Sequence, residues 1–177
     1  MCPGINLLKT YKVYPRVLSF NYMTDLYFSY IYLDPFTEYQ QPKEVKVKNE
    51  NFCFAYEPFY IGKGTGAGYR HNQHISAFIK GNENNPFKIQ KFKELTEKMA
   101  EAAAKHENSK PWNWSEYQKN WVIILKTFDN PKDLLEFEME FIKKLGTKKT
   151  GGPLTNKIEN AFRYSAHLMN TGKSSIL

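Results

Sequence analysis

The 177-residue chain is 41% hydrophobic and 16% aromatic, enough for one domain with a packed core and too little for two of ordinary size. No apolar run reaches the length of a membrane span, and the first six residues show no charged leader ahead of an apolar stretch, so an intracellular protein is expected. The net charge is +7 and the pI about 9.2, a balance that favours a polyanionic partner without naming one.

Cys2 and Cys53 are too few for a disulfide framework and lack the paired spacing of a zinc site. Both are expected to be ordinary thiols. A metal, if one is used, then falls to oxygen ligands or a histidine.

Residues 1–25 alternate polar and aromatic groups without a period and read as an irregular arm. Residues 26–33 are almost continuously apolar and aromatic, as in a strand buried on both faces, and Asp34-Pro35 stops it. A second strand is expected up to Ile61. The residues between, 36–58, exceed a tight turn and read as an elaborated insertion in a hairpin.

The glycine-rich run from Gly62 to Gly68 ends that strand and leads into a helix over about 67–80, with Ile75, Phe78 and Ile79 on its apolar side. A second helix is expected over 86–105, with apolar residues at Phe87, Ile89, Phe92, Leu95 and Met99. A loop carrying Trp112 and Trp114 precedes a strand over 121–128. Pro131 opens a third helix and Gly146 closes it. A basic loop follows to Asn156, with Lys148 and Lys149 as candidate phosphate contacts, although a solvated basic loop explains the charge equally well. A short helix over 157–169 and a Ser/Gly tail end the chain. The expected fold is one α+β domain over 26–160, a central three-stranded antiparallel sheet flanked by helices, with 161–177 as helix end and tail.

The helix from Pro131 carries the most telling residue. At about 100° per residue, Leu134, Leu135, Phe141, Ile142 and Leu145 form one stripe, and Glu138 falls in its middle. A carboxylate there costs several kcal/mol unless it is paired or holds a cation. It is either a buried salt bridge or a metal ligand or acid–base group. Glu136, Glu140 and Lys143 take the solvated face.

Arg70 and His74 are four residues apart and share a helix face beside the glycine-rich strand end. Guanidinium and imidazole suit phosphate chemistry, and two surface residues at a helix start are the plain alternative. The run Gly62-x-Gly64-x-x-Ala67 loosely fits a dinucleotide fingerprint. The acidic residue it requires would be Glu83, which lies in a loop, and that reading fails. Tyr30, Tyr32 and Tyr60 lie in two strands expected to pair, and core packing is their default role.

Taken together these residues resemble the GIY-YIG nuclease superfamily. The first tripeptide appears as Tyr30-Ile31-Tyr32 and the second as Tyr60-Ile61-Gly62. Arg70 stands where the family has its catalytic arginine, His74 one turn later, Glu138 at the metal-binding glutamate and Asn156 at the asparagine after that helix. The likeness spans about residues 26–160. It departs in having Tyr30 in place of glycine and a much longer connection between the two motifs.

The resemblance implies a stand-alone endonuclease of homing, restriction or phage type, acting on double-stranded DNA with one divalent cation, Mg²⁺ or Mn²⁺, on Glu138. Tyr32 would accept the proton of the attacking water, helped by His74 or Tyr60, and Arg70 would neutralise charge on the phosphate. Gly62 would let the backbone approach the site, Asn156 would orient the loop or the DNA, and Lys63 would contact phosphate. Only about twenty residues follow Asn156, so specificity is expected from the domain itself, and cutting both strands would call for two copies. The alternative is a nuclease-fold protein that binds nucleic acid without cutting it.

Overall fold

The computed structural model describes residues 26–66, 70–105 and 112–157. It is an α+β domain. Three antiparallel strands, β1 (Tyr27–Val47), β2 (Glu50–Thr65) and β3 (Val122–Phe128), form a sheet in the order β2-β1-β3. Among the described residues four helices flank it: α1 (Arg70–Ile79), α2 (Pro86–Lys105), α3 (Trp114–Trp121) and α4 (Pro131–Leu145). Among the described residues no helix is long and apolar enough to cross a membrane. The arm at 1–25 and the helix expected over 157–169 lie outside the described residues, apart from Lys157.

Local signals set the helix ends. Asn85 accepts hydrogen bonds from the Phe87 and Lys88 amides and so caps α2. Asn130 caps α4 through the Asp133 amide, Pro131 fills its first turn, and Gly146 (φ 77°) ends it by donating to the Ile142 carbonyl. The tryptophan loop is a helix as well as a loop, for Asn113 caps α3 through the Glu116 amide.

The 36–58 insertion is an extension of the hairpin itself. β1 runs on to Val47, Lys48 and Asn49 make the turn with Lys48 at φ 51°, and β2 returns from Glu50. Register shifts between Asp34 and Glu38 and between Glu38 and Lys43 absorb the irregular middle. The far end is not decoration. Val45, Val47 and Phe54 are buried with Phe137, Phe141 and Leu145 of α4, and Phe52 packs edge-on to Phe141 at 4.9 Å between ring centroids.

The two faces of the sheet have separate cores. Ile31, Leu33 and Ile61 face α4, while Phe28, Tyr30 and Tyr32 face α1, α2 and α3 with Ile75, Phe92, Leu95 and Tyr117. Ile79, expected on the buried side of α1, is 62% exposed, because the helix ends there. Cys53 is disulfide-bonded rather than an ordinary thiol, and its partner lies outside the described residues.

Between the layers, Asp34 is fully buried and anchors the start of the extension. It accepts from the Phe36 amide, the Thr37 hydroxyl and Lys91 Nζ at 2.7–2.8 Å. Burial alone would raise its carboxyl, but those three donors hold it below the usual range.

Candidate active site

A cleft of about 340 Å³ opens beside the edge strand β2 and draws on both faces of the sheet. From the α4 side come Glu138 and Lys63. From the other come Tyr30, Tyr60, Arg70 and His74, with Glu83 and Lys88 behind them. Regular alternation from Tyr60 to Thr65 puts Tyr60 and Lys63 on opposite faces, and a one-residue bulge lies just before Tyr60. Tyr32 pairs with Tyr60 but Leu33 pairs with Pro58, so Phe59 is the extra residue, and Phe59 and Tyr60 pack in the same core. Bulges beside active sites commonly re-aim a side chain in this way.

Glu138 is 8% exposed, as its place in the α4 stripe predicted, and its Oε2 lies 3.0 Å from Lys63 Nζ. Both sequence alternatives meet here, because the salt bridge exists and the carboxylate also faces the cleft. Burial pushes the Glu138 carboxyl above its ordinary range, and Lys63 opposes that. Among the described residues no three His, Cys, Asp or Glu side chains cluster to hold an ion by themselves. One buried carboxylate in an open cleft does fit a hydrated Mg²⁺ or Mn²⁺ ion, which commonly takes one or two carboxylates and fills its other positions with water and phosphate oxygens.

His74 is the hub of the opposite wall. Its Nε2 lies 3.0 Å from Tyr30 Oη and 3.1 Å from Tyr60 Oη. Burial lowers the imidazole's pKa, with Glu83 raising it and Lys88 and Arg70 lowering it further. Burial raises the pKa of Tyr30 and Tyr60, so both are phenols at neutral pH, while Arg70 works the other way on Tyr30. Arg70 is exposed at the first turn of α1 and lines the cleft.

Tyr32 is placed elsewhere. It is fully buried, its hydroxyl donates to the His71 carbonyl, and it does not line the cleft. Tyr30, which departs from the motif, stands in the cleft instead.

Gly62 and Gly64 lie inside β2, opposite Tyr30 and Phe28. A β-carbon on Gly62 would come within 2.5 Å of Tyr30 Cζ and Oη, and one on Gly64 within 2.3 Å of Phe28 Cζ. Both glycines make room for an aromatic ring. They sit in regular strand, and Ala67, the third position of the dinucleotide-like run, lies outside the described residues.

Asn156 is buried, and its side chain pairs with both backbone groups of Ile61, accepting from the amide at 3.1 Å and donating to the carbonyl at 2.7 Å. Thr155 binds the Phe59 carbonyl through its amide and hydroxyl. These residues cover the open edge of β2 and fix the loop against the cleft. Lys148 and Lys149 sit on an exposed 3-10 turn (Lys148–Thr150) and do not line the cleft.

Glu83 and Lys88 were not recognised from sequence as site residues. Lys88 had a signal, because it falls on the α2 stripe with Phe92, Leu95 and Met99, all buried, as Glu138 does on α4. Glu83 sits in a loop that carries no periodic signal. No family model, no curated protein and no solved structure matches the chain.

Proposed function

We propose that this cleft is the active site of a metal-dependent DNA endonuclease, as the resemblance to GIY-YIG nucleases implies. The observation that carries the reading is the composition of one cleft. Three cations, Lys63, Arg70 and Lys157, line the cleft with a buried carboxylate, Glu138, and a hydroxyl–imidazole cluster. Such a surface attracts a phosphodiester and offers groups that can bind it, hold water and move a proton.

Arg70, exposed at the rim, neutralises charge growing on the non-bridging oxygens. Lys63 and Lys157 hold flanking phosphate. The Tyr30, Tyr60 and His74 cluster orients the attacking water and takes its proton, which moves that role from Tyr32 to the hydroxyls that reach the cleft. Glu138 would hold the divalent ion, whose contribution is Lewis-acid polarisation of the phosphate and stabilisation of the leaving oxygen.

Supercoiled plasmid incubated with the protein should be nicked in Mg²⁺ or Mn²⁺ and left intact in EDTA. Glu138→Ala and Arg70→Ala should abolish nicking with an unchanged circular-dichroism spectrum. Wild-type rates in both variants would sink the assignment. The Lys63–Glu138 ion pair favours a second reading, in which the carboxylate is satisfied by lysine and the protein binds DNA without cutting it. Retention of DNA on a filter with no nicking in any divalent metal would select that reading.

A further inference from the structure

Behind His74, the α1–α2 loop and the first turn of α2 place two charged groups with no part in the chemistry so far. Lys88 Nζ lies 3.1 Å from His74 Nδ1. Glu83 Oε2 lies 3.3 Å from that ammonium and 3.5 Å from the same ring nitrogen. Neither group is loosely held. Lys88 is 4% exposed, at the capped start of α2, with its ammonium 3.9 Å from the centre of the Tyr60 ring. The other Glu83 oxygen accepts from the Asn84 and Asn85 amides at 3.1 and 3.0 Å.

An ammonium has three donors and no acceptor. Facing Nδ1 at hydrogen-bond distance, it can only donate, so Nδ1 must supply its lone pair and the ring's one proton must sit on Nε2. Glu83, holding the ammonium from the other side, keeps it charged and in place. Its carboxyl would be raised by burial, yet the Lys88 ammonium and the Asn85 amide hold it below the ordinary range. Burial brings Lys88 down to about 8 against the pull of Glu83, which leaves it mostly protonated at neutral pH.

We propose that Lys88, held by Glu83, is a positioning residue that locks His74 as the neutral Nε2–H tautomer, a hydrogen-bond donor to the Tyr30 and Tyr60 oxygens. The inference deepens the nuclease reading and rests on it for its catalytic meaning. With its one lone pair engaged by Lys88, the imidazole is not the base. The proton of the attacking water goes to Tyr30 or Tyr60 in the minor fraction of molecules whose phenol has already released its proton to solvent: a water O–H bond breaks, a phenol O–H bond forms, the hydroxide oxygen bonds to phosphorus, and the leaving oxygen departs as an oxyanion that solvent protonates. The groups facing His74 are Tyr30 and Tyr32 from β1, Tyr60 from β2, Arg70 on its own helix, Glu83 from the loop and Lys88 from α2, with Glu138 across the cleft. The Nε2–H, Arg70 and the Lys88 ammonium beside the Tyr60 ring are the groups among them that stabilise a tyrosinate.

The test is long-range ¹H–¹⁵N correlation on [¹⁵N]histidine-labelled protein without DNA, with His74 assigned by a His74→Asn variant. At pH 7 the wild type should show a protonated, pyrrole-type Nε2 and an unprotonated Nδ1. Lys88→Met should move the proton to Nδ1, where Glu83 accepts it, and Lys88→Arg should restore the wild-type pattern at least in part. An Nδ1–H or doubly protonated ring in the wild type overturns the proposal, as does an unchanged ring in Lys88→Met. If Lys88→Met does not fold, the wild-type spectrum alone decides.

In the nicking assay, Lys88→Met should lower kcat by roughly tenfold or more at unchanged KM, within the range of general acid–base effects. The wild-type rate should keep rising above pH 7, and that of Lys88→Met should level off as the imidazole becomes the base. A wild-type protein that never nicks DNA removes the nuclease reading while leaving the tautomer result standing. Nicking with the wrong tautomer does the reverse.

Discussion

The ring of Tyr30 lies directly against its cross-strand partner Gly62, where a β-carbon would stand 2.5 Å from Cζ and Oη. This packing explains how β1 accommodates a tyrosine ring at position 30. The side chain absent from β2 is replaced by a ring from β1, which carries its hydroxyl to His74. Gly62→Ala should therefore cost about 1–3 kcal/mol, the usual range for an added methylene in a filled core. Urea unfolding of Gly62→Ala, Tyr30→Ala and the double variant should show the penalty shrinking once the ring is gone. Additive effects would mean that the two residues do not share the space.

Asp34 gives a second expectation. Asp34→Ala removes the 2.7 Å partner of buried Lys91 and leaves it, among the described residues, Glu57 at 3.8 Å. Removing one partner of a buried pair typically costs 3–5 kcal/mol. Chemical denaturation should show a loss of about that size, and Asp34→Ala with Lys91→Met should recover part of it.

Glu138 sets function against stability. Its folded pKa is raised above the unfolded value, so whatever it adds to the fold is present below the unfolded pKa and lost as pH rises through the folded one. At neutral pH the ionised group is a burden. Lys63, with 35% of its side chain exposed, can turn to water if the carboxylate is removed. Glu138→Gln should thus melt at the wild-type temperature or above it and be unable to nick DNA. A large drop in melting temperature would show the ion pair to be a structural requirement. In the wild type, activity should fall on the acid side at a higher pH than an exposed glutamate would give, because protonation removes the charge a cation needs.

Lys148 and Lys149 lie on an exposed turn away from the cleft, so their expected contribution is to DNA affinity and not to the chemical step. The double alanine variant should weaken binding similarly for all sequences. The slope of log K against log[salt] should become shallower by about 0.9 for each phosphate that is no longer neutralised. A changed kcat at saturating DNA would place the turn closer to the reacting bond than the fold does.

Elements bounded by local chemistry were readable before the fold. α2 and α4 begin and end at Asn85-Pro86, Asn130-Pro131 and Gly146, signals held within a few residues. Glu138 was readable because a helix wheel needs no partner. The long hairpin was not, since its pairing depends on residues such as Val45 and Phe52, which are adjacent only after folding and draw support from α4. Lys88 and Lys91 were hidden for a different reason. Lysines in a charged helix read as solvated, although both lie on the buried side of α2. Asn156 was picked out by resemblance, while its edge-sealing bonds to Ile61 depend on a segment 95 residues away.

Beside the bulge at Phe59, strand register would be a condition of the proposed activity as well as of folding. Beyond it, Tyr60 and Gly62 face one layer and Ile61 and Lys63 the other, and the cleft needs Tyr60 and Lys63 on opposite faces at the same edge. A hairpin paired one residue out of step would exchange these sets. Tyr60 would leave His74, Lys63 would leave Glu138, and a β-carbon would replace Gly62 beneath Tyr30. The pairing of Tyr30, Ile31 and Tyr32 with Gly62, Ile61 and Tyr60 therefore carries the cleft, and a slip there would dismantle it while every one of its side chains is still present in the chain.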